Sequence, residues 1–200
     1  DINESIIWYK MAAENGNPMA FASLGQIYLE GEGVVKDITE ALEWLKRGAE
    51  ADNPYSQMRL GDSYLAGRGV ERSKAEAEKW YERAMTNLEH QRLLRLGNNY
   101  LFGKGVERNL VTSFKNFAET AKGGNAEGQF RVGDALYKGL GIPKNKRDAI
   151  QWYSKAANKG NIFAKHALAQ AYFNGDGIRQ DRLKALEMLE EAAEEGHIDS

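Results

Sequence analysis

The 200-residue sequence contains no cysteine and only three prolines. Without cysteine, the chain can form neither a disulfide framework nor a thiolate metal site, although this does not decide its compartment. No apolar run is long enough to cross a bilayer, and residues 1–30 lack the apolar core of a signal peptide. Localisation is therefore left unassigned.

The sequence also lacks an excess of either charge. Lysine and arginine number 27 and aspartate and glutamate 29, which leaves a net charge of −2. Such a balance gives little general attraction to a phosphate backbone or an acidic membrane. We therefore expect no nucleic-acid partner and no direct membrane insertion. The 21 glycines are spread along the chain rather than clustered, which argues against low complexity and disorder.

What the sequence has instead is an interval of 36 residues at which the same residue types return. Pairs of glycines recur at Gly31 and Gly33, Gly67 and Gly69, Gly103 and Gly105, Gly139 and Gly141, and Gly175 and Gly177. An apolar residue follows each pair, at Val34, Val70, Val106, Ile142 and Ile178. Further columns are formed by Leu24, Leu60, Leu96, Val132 and Leu168, and by Trp8, Trp44, Trp80, Asn116, Trp152 and Met188. A fixed interval of this length indicates a repeat architecture.

Each unit is predicted to contain two amphipathic helices. From Phe21 to Tyr28 apolar residues follow the i, i+3, i+4, i+7 spacing, which predicts a first helix near 18–30, named helix A. A second apolar stripe starts at Ala41 and predicts helix B near 38–51. The tryptophan column belongs to this second stripe and is predicted to pack in the core.

The ends of both helices carry recognisable signals. Gly31 is expected to end helix A in the left-handed conformation, with Val34 folding back onto the core. Asp37 is expected to cap helix B while Glu40 reaches back to it. The same pairing recurs at Asp1 with Glu4 and at Ser73 with Glu76.

A glycine inside helix A predicts a close crossing with helix B. Glycine in a helix interior costs about 1 kcal/mol relative to alanine. The position is nevertheless glycine four times before it becomes alanine, at Gly25, Gly61, Gly97, Gly133 and Ala169. We therefore expect another group to pass too close for a larger side chain.

These features predict an all-α fold, a right-handed α/α superhelical solenoid of antiparallel helix pairs with a 36-residue period. We expect a single solenoid over 1–200, with a partial repeat at 1–17 and full repeats at about 18–53, 54–89, 90–125, 126–161 and 162–197. Both Asp1 and Ser200 fall within a repeat, so the chain is expected to be part of a longer array. Leu88 replaces a glycine and Asn116 a tryptophan, so thinner outer packing and lower local stability are expected near 85–120.

The repeat resembles a known family. The sequence is similar to the Sel-1-like repeat, a relative of the tetratricopeptide repeat, in Leu24-Gly25, Tyr28, Gly31, Gly33-Val34, Asp37, Ala41, Trp44 and the run from Trp152 to Ala157. The resemblance covers nearly the whole chain and implies an adaptor or scaffold that binds proteins along a concave surface lined by A helices. A cysteine-rich branch of that family has disulfides, and this chain differs from it in having no cysteine.

The glycine pairs do not form a nucleotide-binding loop. A dinucleotide-binding fingerprint requires a preceding strand and a third glycine. The loop instead carries mainly cations, at Lys36, Arg72, Arg108 and Lys144, with Gln180 last. These residues predict a solvated basic edge near the start of helix B, where the helix dipole disfavours a cation. An acidic partner for this edge is the alternative.

Other chemistry is not supported either. His90, His166 and His197 are scattered along the chain without metal-ligand spacing, so no metal site is predicted. Asp62 and Asp134 are two repeats apart, roughly 20 Å for stacked helices. A glycosidase carboxylate pair is separated by about 5 to 10 Å. We therefore predict no enzyme and no cofactor.

The remaining face of helix A carries the candidate binding site. Polar side chains recur on this face at the 36-residue interval and form what we call the polar ladder: Gln26, Asp62, Asn98, Asp134 and Gln170. A polar ladder with mainly apolar flanks suits an extended peptide, whose backbone needs polar partners and whose side chains need pockets. An ordinary hydrated groove is the alternative interpretation. The candidate groove residues are Gln26, Met58, Asp62, Leu94, Asn98, Phe130, Asp134, Tyr137, Phe163, His166, Gln170 and Phe173.

The predicted function is a protein–protein interaction module or adaptor that binds a peptide or partner segment in this groove. The alternative is a passive scaffold in an envelope, secretion or polysaccharide-related assembly. The sequence leaves open whether the groove or the basic edge is the working surface, and it does not indicate an oligomeric state.

Overall fold

The computed structural model describes residues 2–194, with side chains described for residues 4–191. Every regular element in this part of the chain is a helix, which confirms the all-α fold class. Asp1, His197 and Ser200 lie outside the described residues. In chain order the helices are α1 (Ile2–Glu14), α2 (Pro18–Glu30), α3 (Ile38–Glu50), α4 (Pro54–Ala66), α5 (Lys74–Phe102), α6 (Leu110–Lys122), α7 (Ala126–Lys138), α8 (Lys146–Ala157), α9 (Ile162–Asn174) and α10 (Arg182–Glu194).

The first compact unit is Asp1–Glu89. Helices α2 and α3 occupy 18–30 and 38–50, within one residue of the predicted bounds for helices A and B. One cluster of buried side chains joins α1 and α2 through Ile6, Ala13, Ala20, Phe21, Leu24 and Ile27. A second joins α3 and α4 through Leu42, Ala49 and Leu60. Val34 and Val70, which follow the glycine pairs, pack against these clusters as predicted.

The second compact unit is His90–Ser200. One cluster of buried side chains joins helices α6 to α9, and a smaller one is formed by Ala156, Ala157 and Ala164. The members of the larger cluster are Phe117, Ala121, Val132, Leu136, Ala149, Ile150, Tyr153, Leu168 and Ala171. Ile142 and Ile178, from the loops after α7 and α9, pack against this cluster.

The two glycines of each pair have different roles. The first ends helix A in the left-handed conformation, with φ between 70° and 78° at Gly31, Gly67, Gly139 and Gly175. In three of the pairs the second glycine lets the loop approach the first residue of an earlier B helix. A Cβ at Gly141 would lie 2.1 Å from the Leu110 carbonyl oxygen, and a Cβ at Gly69 would lie 2.6 Å from Ile38 Cγ2. Gly177 approaches Lys146 in the same way, whereas an added Cβ at Gly105 would meet no atom within 4 Å.

The helix N-termini are capped by side chains, but the predicted capping boxes form only in part. Asp37 accepts a hydrogen bond from the Glu40 amide at 3.0 Å, and Ser73 accepts one from the Glu76 amide at 3.2 Å. The reciprocal arm is wrong at Asp37, because the Asp37 amide donates to the Tyr28 carbonyl at 3.0 Å and Glu40 Oε1 accepts from Trp44 Nε1 at 2.8 Å. The expected Asp1 box lies outside the described residues.

The close crossing predicted from the interior glycines is confirmed. An added Cβ would meet a helix B side chain at about the same distance in each repeat. The distances are 2.5 Å at Gly25 to Leu45, 2.6 Å at Gly61 to Tyr81, 2.5 Å at Gly97 to Phe117 and 2.6 Å at Gly133 to Tyr153. Real Cβ contacts are longer, so glycine is what allows the large B-helix side chain to lie across helix A.

One predicted turn is absent. Helix α5 runs for 29 residues through the position where a helix B should end and a helix A begin, so the expectation of five separate helix pairs is wrong here. The other turns use a left-handed residue with φ between 58° and 83°, at Gly16, Asp52, Gly124 and Gly160. An asparagine follows and caps the next helix, at Asn17, Asn53, Asn125 and Asn161. Here the sequence has Leu88 and Glu89, both good helix formers, and the helix continues.

The tryptophan column is only half-buried, which corrects the prediction of core packing. Trp44, Trp80 and Trp152 lie at the edge of the clusters. Trp44 stacks on Phe21 of α2 with ring centroids 6.2 Å apart. Trp8 is 62% exposed, because no helix precedes α1 among the described residues to supply such a ring.

Candidate functional site

A cleft of about 380 Å³ opens on the second unit. Its walls come from α7 and α9, which are both A helices, and its base comes from α8, the B helix between them. The lining residues are Phe130, Asp134, Tyr137, Lys138, Tyr153, Phe163, His166, Ala167 and Gln170. Four of these nine residues are aromatic, and the others include one carboxylate and one ammonium group.

The four rings form a connected set. Phe130 and Phe163 are nearly parallel, with centroids 6.0 Å apart and planes at 30°. Phe130 also lies 6.0 Å from Tyr153, which in turn lies 6.3 Å from Tyr137. Rings at these separations stabilise one another, so the walls of the cleft hold their shape without a ligand.

Tyr153 reaches the cleft because of Gly133. Its ring crosses α7 where a Cβ would lie 2.6 Å from Cδ1, and the residue is 3% exposed. Burial raises the pKa of Tyr153, and the nearby Asp134 carboxylate and Tyr137 add to the rise. The hydroxyl therefore stays protonated and can donate a hydrogen bond. Among the described residues it has no hydrogen-bond partner.

Asp134 supplies the negative charge of the cleft. Its carboxylate lies 2.8 Å from Lys138 Nζ one helical turn later. The Asp134 side chain is 23% exposed and that of Lys138 is 57% exposed. Ion pairs of this exposed i, i+4 kind contribute only a few tenths of a kcal/mol. Lys138 is therefore a weak competitor for any cation that enters the cleft.

A network of hydrogen bonds fixes the position of the Tyr137 side chain. Its hydroxyl donates to Asp176, in the loop after α9, and Lys146 at the start of α8 donates to the other oxygen of the same carboxylate. The hydrogen bond from Lys146, followed by that from Tyr137, lowers the pKa of Asp176. The same carboxylate raises the pKa of Tyr137 and of Lys146. The loop is thereby tied to both α7 and α8.

The structure brings together half of the twelve predicted groove residues. The six that line the cleft are Phe130, Asp134, Tyr137, Phe163, His166 and Gln170. Three others belong to the second unit but lie elsewhere. Leu94 packs against the core, and Phe173 is 45% exposed beneath the Arg182 guanidinium at 5.3 Å. Asn98 has a buried Oδ1 with no hydrogen-bond partner among the described residues.

The three predicted residues of the first unit do not form a comparable cleft in the described part of that unit. Gln26 donates to Glu30 on its own helix. Asp62 accepts from the Tyr81 hydroxyl at 2.8 Å and lies 3.7 Å from Arg59. Its carboxylate is thus already engaged by neighbouring side chains. Met58 is 42% exposed.

The sequence did not identify Tyr153, Lys138 and Ala167 as cleft residues. The signal for Tyr153 was its column at the 36-residue interval, in which a large residue stands opposite each interior glycine: Leu45, Tyr81, Phe117 and Tyr153. For Lys138 the signal was its i, i+4 spacing from Asp134. Ala167 is small and follows His166, and we find no pattern that would have identified it.

The basic edge has a structural role that the sequence analysis missed. Arg72 Nε donates to the Leu65 carbonyl at 3.1 Å, and Arg108 Nε donates to the Leu101 carbonyl at 3.1 Å. Gln180 Nε2 makes the equivalent bond to the Phe173 carbonyl at 2.8 Å. These carbonyls belong to the last turn of an A helix, where donors and positive charge are favourable. Two of the four loop cations, Arg72 and Arg108, therefore contact the end of an A helix in addition to lying near the start of helix B.

No group of three or more histidine, aspartate or glutamate side chains in 4–191 is arranged to hold a metal ion. None of the helices between residues 2 and 194 combines the length and the apolar character needed to span a membrane.

A family model for the Sel1 repeat matches the chain along most of its length, over residues 1–17, 19–53, 54–85, 93–125, 126–161 and 162–197. The unmatched residues 86–92 fall where α5 continues through the missing turn. These residues depart from the repeat pattern because both the left-handed residue and the asparagine cap are absent there. Among curated proteins, none matches the sequence.

Two solved structures are similar in sequence and fold. A Sel1 repeat protein from Oxalobacter formigenes is 32% identical with a TM-score of 0.55, over 97% of this chain and 80% of that one. A protective antigen present in uropathogenic Escherichia coli strains, which displays an SLR fold, is 32% identical with a TM-score of 0.52. The match covers 98% of this chain but only 42% of the Escherichia coli protein. With the family model matching nearly every repeat, the chain belongs to the Sel1 repeat family, a non-catalytic repeat fold whose members are generally protein-interaction modules.

Proposed function

We propose that the chain binds a peptide segment of a partner protein on the groove face of its A helices, with the cleft of the second unit as a principal contact. One observation supports this most directly. Six residues selected from the sequence as groove residues line a single cleft, together with a hydroxyl and an ammonium group. Protein binding is also the general role of the family.

The chemistry of the cleft suits a peptide. The rings of Phe130 and Phe163 offer apolar surface for a side chain, and Phe163 is 57% exposed. Asp134, one turn after Phe130, and Gln170, two turns after Phe163, offer an acceptor and an amide to a peptide backbone. A pocket that combines apolar walls with a few polar groups is the usual form of a binding site.

The proposal is binding without catalysis. Among the described residues, the cleft lining contains no serine or threonine that His166 could activate as a nucleophile. The Tyr153 hydroxyl is held in its protonated form by its raised pKa, which makes it a hydrogen-bond donor and a poor nucleophile.

The test begins with a peptide-display selection against the intact protein. Selected peptides are titrated against wild type and against a cleft variant that carries Asp134→Ala, Phe163→Ala and Gln170→Ala. The matched control carries Lys115→Ala, Arg147→Ala and Gln151→Ala, which are exposed residues on the B helices of the same unit. We expect at least tenfold weaker binding to the cleft variant, because a hydrogen bond contributes about 0.5 to 1.5 kcal/mol and the ring contact adds to it.

The outcomes separate the two functional hypotheses. Equal affinities for the cleft variant and the control variant would reject the cleft as the binding surface. If the selection yields no cleft-dependent peptide at all, the passive scaffold becomes the better description. Melting temperatures of both variants should stay close to that of wild type, since Phe163 and Gln170 are exposed and Asp134 lies on the surface of α7.

A further inference from the structure

We infer that the cleft of the second unit accepts an arginine side chain of the bound segment, held against the ring pair of Phe130 and Phe163 and against the Asp134 carboxylate. This inference rests on the proposed function and adds the chemical class of the residue that the cleft recognises. It depends on ring geometry, on the charge of the cleft and on a site of the same kind elsewhere in this chain.

The first unit already contains such a site, occupied by one of its own side chains. Phe21 and Trp44 are nearly parallel, with centroids 6.2 Å apart and planes at 29°. The guanidinium carbon of Arg47 lies 5.0 Å from the Phe21 centroid and 4.6 Å from that of Trp44. A near-parallel ring pair in this chain therefore holds a guanidinium group, as expected from the attraction between a cation and ring faces.

The cleft repeats this ring geometry. Phe130 and Phe163 have centroids 6.0 Å apart and planes at 30°, close to the values for Phe21 and Trp44. The guanidinium carbon of Arg131, on the same helix, lies 5.7 Å from the Phe130 centroid, so this pair too attracts a guanidinium group. Phe163 is 57% exposed, and it is the ring of the pair that a guanidinium group on a peptide can reach from solvent.

The cleft also contains a carboxylate beside the ring pair. Asp134 lines the same cleft, and its cationic partner in the described structure is the half-exposed Lys138 on the same helix. A planar guanidinium can bind a carboxylate with two parallel hydrogen bonds, which an ammonium group cannot. Arginine should therefore displace Lys138 from Asp134 at little cost, whereas a ligand lysine would exchange one ammonium group for another.

Other ligand classes fit less well. An anionic side chain would meet the negative faces of four aromatic rings and the Asp134 carboxylate. A purely apolar side chain would use the rings but make no use of Asp134 or of the Tyr153 hydroxyl. The equivalent surface of the first unit supports the assignment by contrast. At the same register it has Ala22, Gln26 and Leu45, which supply neither the ring pair nor the carboxylate.

The experiment uses the cleft-dependent peptides obtained from the display selection. Each peptide is resynthesised with every arginine in turn replaced by citrulline, which has the same shape without the charge, or by lysine. We expect arginine at one fixed position in most selected peptides, at least tenfold weaker binding with citrulline there, and an intermediate affinity with lysine. Because only the peptide changes, folding of the protein does not affect the result.

A double-mutant cycle then locates the contact. Asp134→Asn keeps the shape of the side chain and removes its charge, and we expect it to weaken the arginine peptide about tenfold while leaving the citrulline peptide unchanged. Asp62→Asn, in the same ladder of the first unit, is the matched control and should change neither affinity. An unaltered arginine-to-citrulline ratio in Asp134→Asn would reject the inference.

The two proposals fail in different ways. Peptides that depend on the cleft but show no arginine preference would overturn the arginine site and leave the peptide-binding function intact. Selected peptides that bind the cleft variant as well as they bind wild type would overturn both. A preference for lysine over arginine would also reject the inference, since it removes the role of the planar, two-bond geometry.

Discussion

Gly97 lies inside α5 at the point where the ring of Phe117 crosses it. A Cβ there would lie 2.5 Å from Phe117 Cε1, and Phe117 is 3% exposed. A buried ring cannot move aside without disturbing its neighbours, because protein interiors are close-packed. The position is therefore governed by the crossing, not by helix propensity.

We predict that Gly97→Leu lowers the free energy of unfolding by about 2 kcal/mol or more through overpacking, although leucine is the better helix former. Urea denaturation followed by circular dichroism measures the change. A stability equal to that of wild type for Gly97→Leu would refute the close crossing.

Two of the loop cations, Arg72 and Arg108, donate hydrogen bonds to helix ends, and a neutral donor can make the same bond. Gln180 bonds to Phe173 in the way that Arg108 bonds to Leu101. We predict that Arg108→Ser lowers stability by about 0.5 to 1 kcal/mol, the usual net value of such a bond. Arg108→Gln should stay close to wild type. Equal losses in both variants, measured as urea midpoints, would contradict the capping role.

At the scale of elements, α5 shows that a repeat turn depends on two adjacent residues. The other turns pair a left-handed residue with an asparagine cap, as at Gly124 and Asn125. Leucine in the left-handed conformation is strained, and glutamate at that place does not supply the asparagine cap. Continuing the helix satisfies the backbone instead.

We predict that Leu88→Gly with Glu89→Asn interrupts α5 at residue 88, because the pair then copies Gly124 and Asn125. Backbone chemical shifts should change from helical values to a left-handed residue followed by a cap. The matched control is Glu78→Gly with Lys79→Asn, at exposed positions in the same helix. It should weaken the helix without creating a capped turn. Uninterrupted helical shifts through residue 88 would contradict the explanation.

The loop after α9 is an element whose attachment should depend on pH. Hydrogen bonds from Lys146 and Tyr137 lower the pKa of Asp176 below its ordinary value of 3.8. A carboxylate with a lowered folded-state pKa contributes stability above its ordinary pKa, and the contribution is lost as pH falls through the lowered value. The Asp176 side chain is 29% exposed, so solvent screens part of the effect.

We therefore predict that Asp176→Asn lowers the melting temperature at pH 6 and that the difference from wild type shrinks as pH falls below about 4. Melting curves between pH 2 and pH 7 measure this. Glu187→Gln, at an exposed position on α10, is the control and should follow wild type throughout. A difference that is constant across this range would show that the carboxylate charge is not what holds the loop.

At the scale of the whole molecule, the sequence predicts the regular features and misses the local exceptions. The 36-residue interval placed α2 and α3 within one residue, because apolar spacing and capping residues recur together. Leu88 was recognised as a substitution, yet its effect on helix length was not, since the pattern assumes a turn in every repeat. Whether a helix breaks depends on the local energies of two residues.

The candidate site shows the same division. Phe130 and Asp134 could be placed on the exposed face of helix A by spacing alone. Tyr153 lies in helix B and is part of the buried core, with 3% of its surface exposed. Its ring crosses α7 and contributes to the cleft because the two helices approach closely at Gly133. The sequence period alone does not predict this distance.

The working surface of the chain can be assigned by comparing the groove with the basic edge in one experiment. We predict that changing Lys36, Arg72, Arg108 and Lys144 together to serine leaves the affinity for a cleft-dependent peptide within about twofold, because none of these side chains lines the cleft. Its melting temperature should nevertheless fall, since Arg72 and Arg108 each lose a hydrogen bond to a helix end. The cleft variant with Asp134→Ala, Phe163→Ala and Gln170→Ala should do the opposite, losing affinity at nearly constant melting temperature. If the edge variant lost binding while the cleft variant kept it, the basic edge would be the recognition surface and the cleft would not.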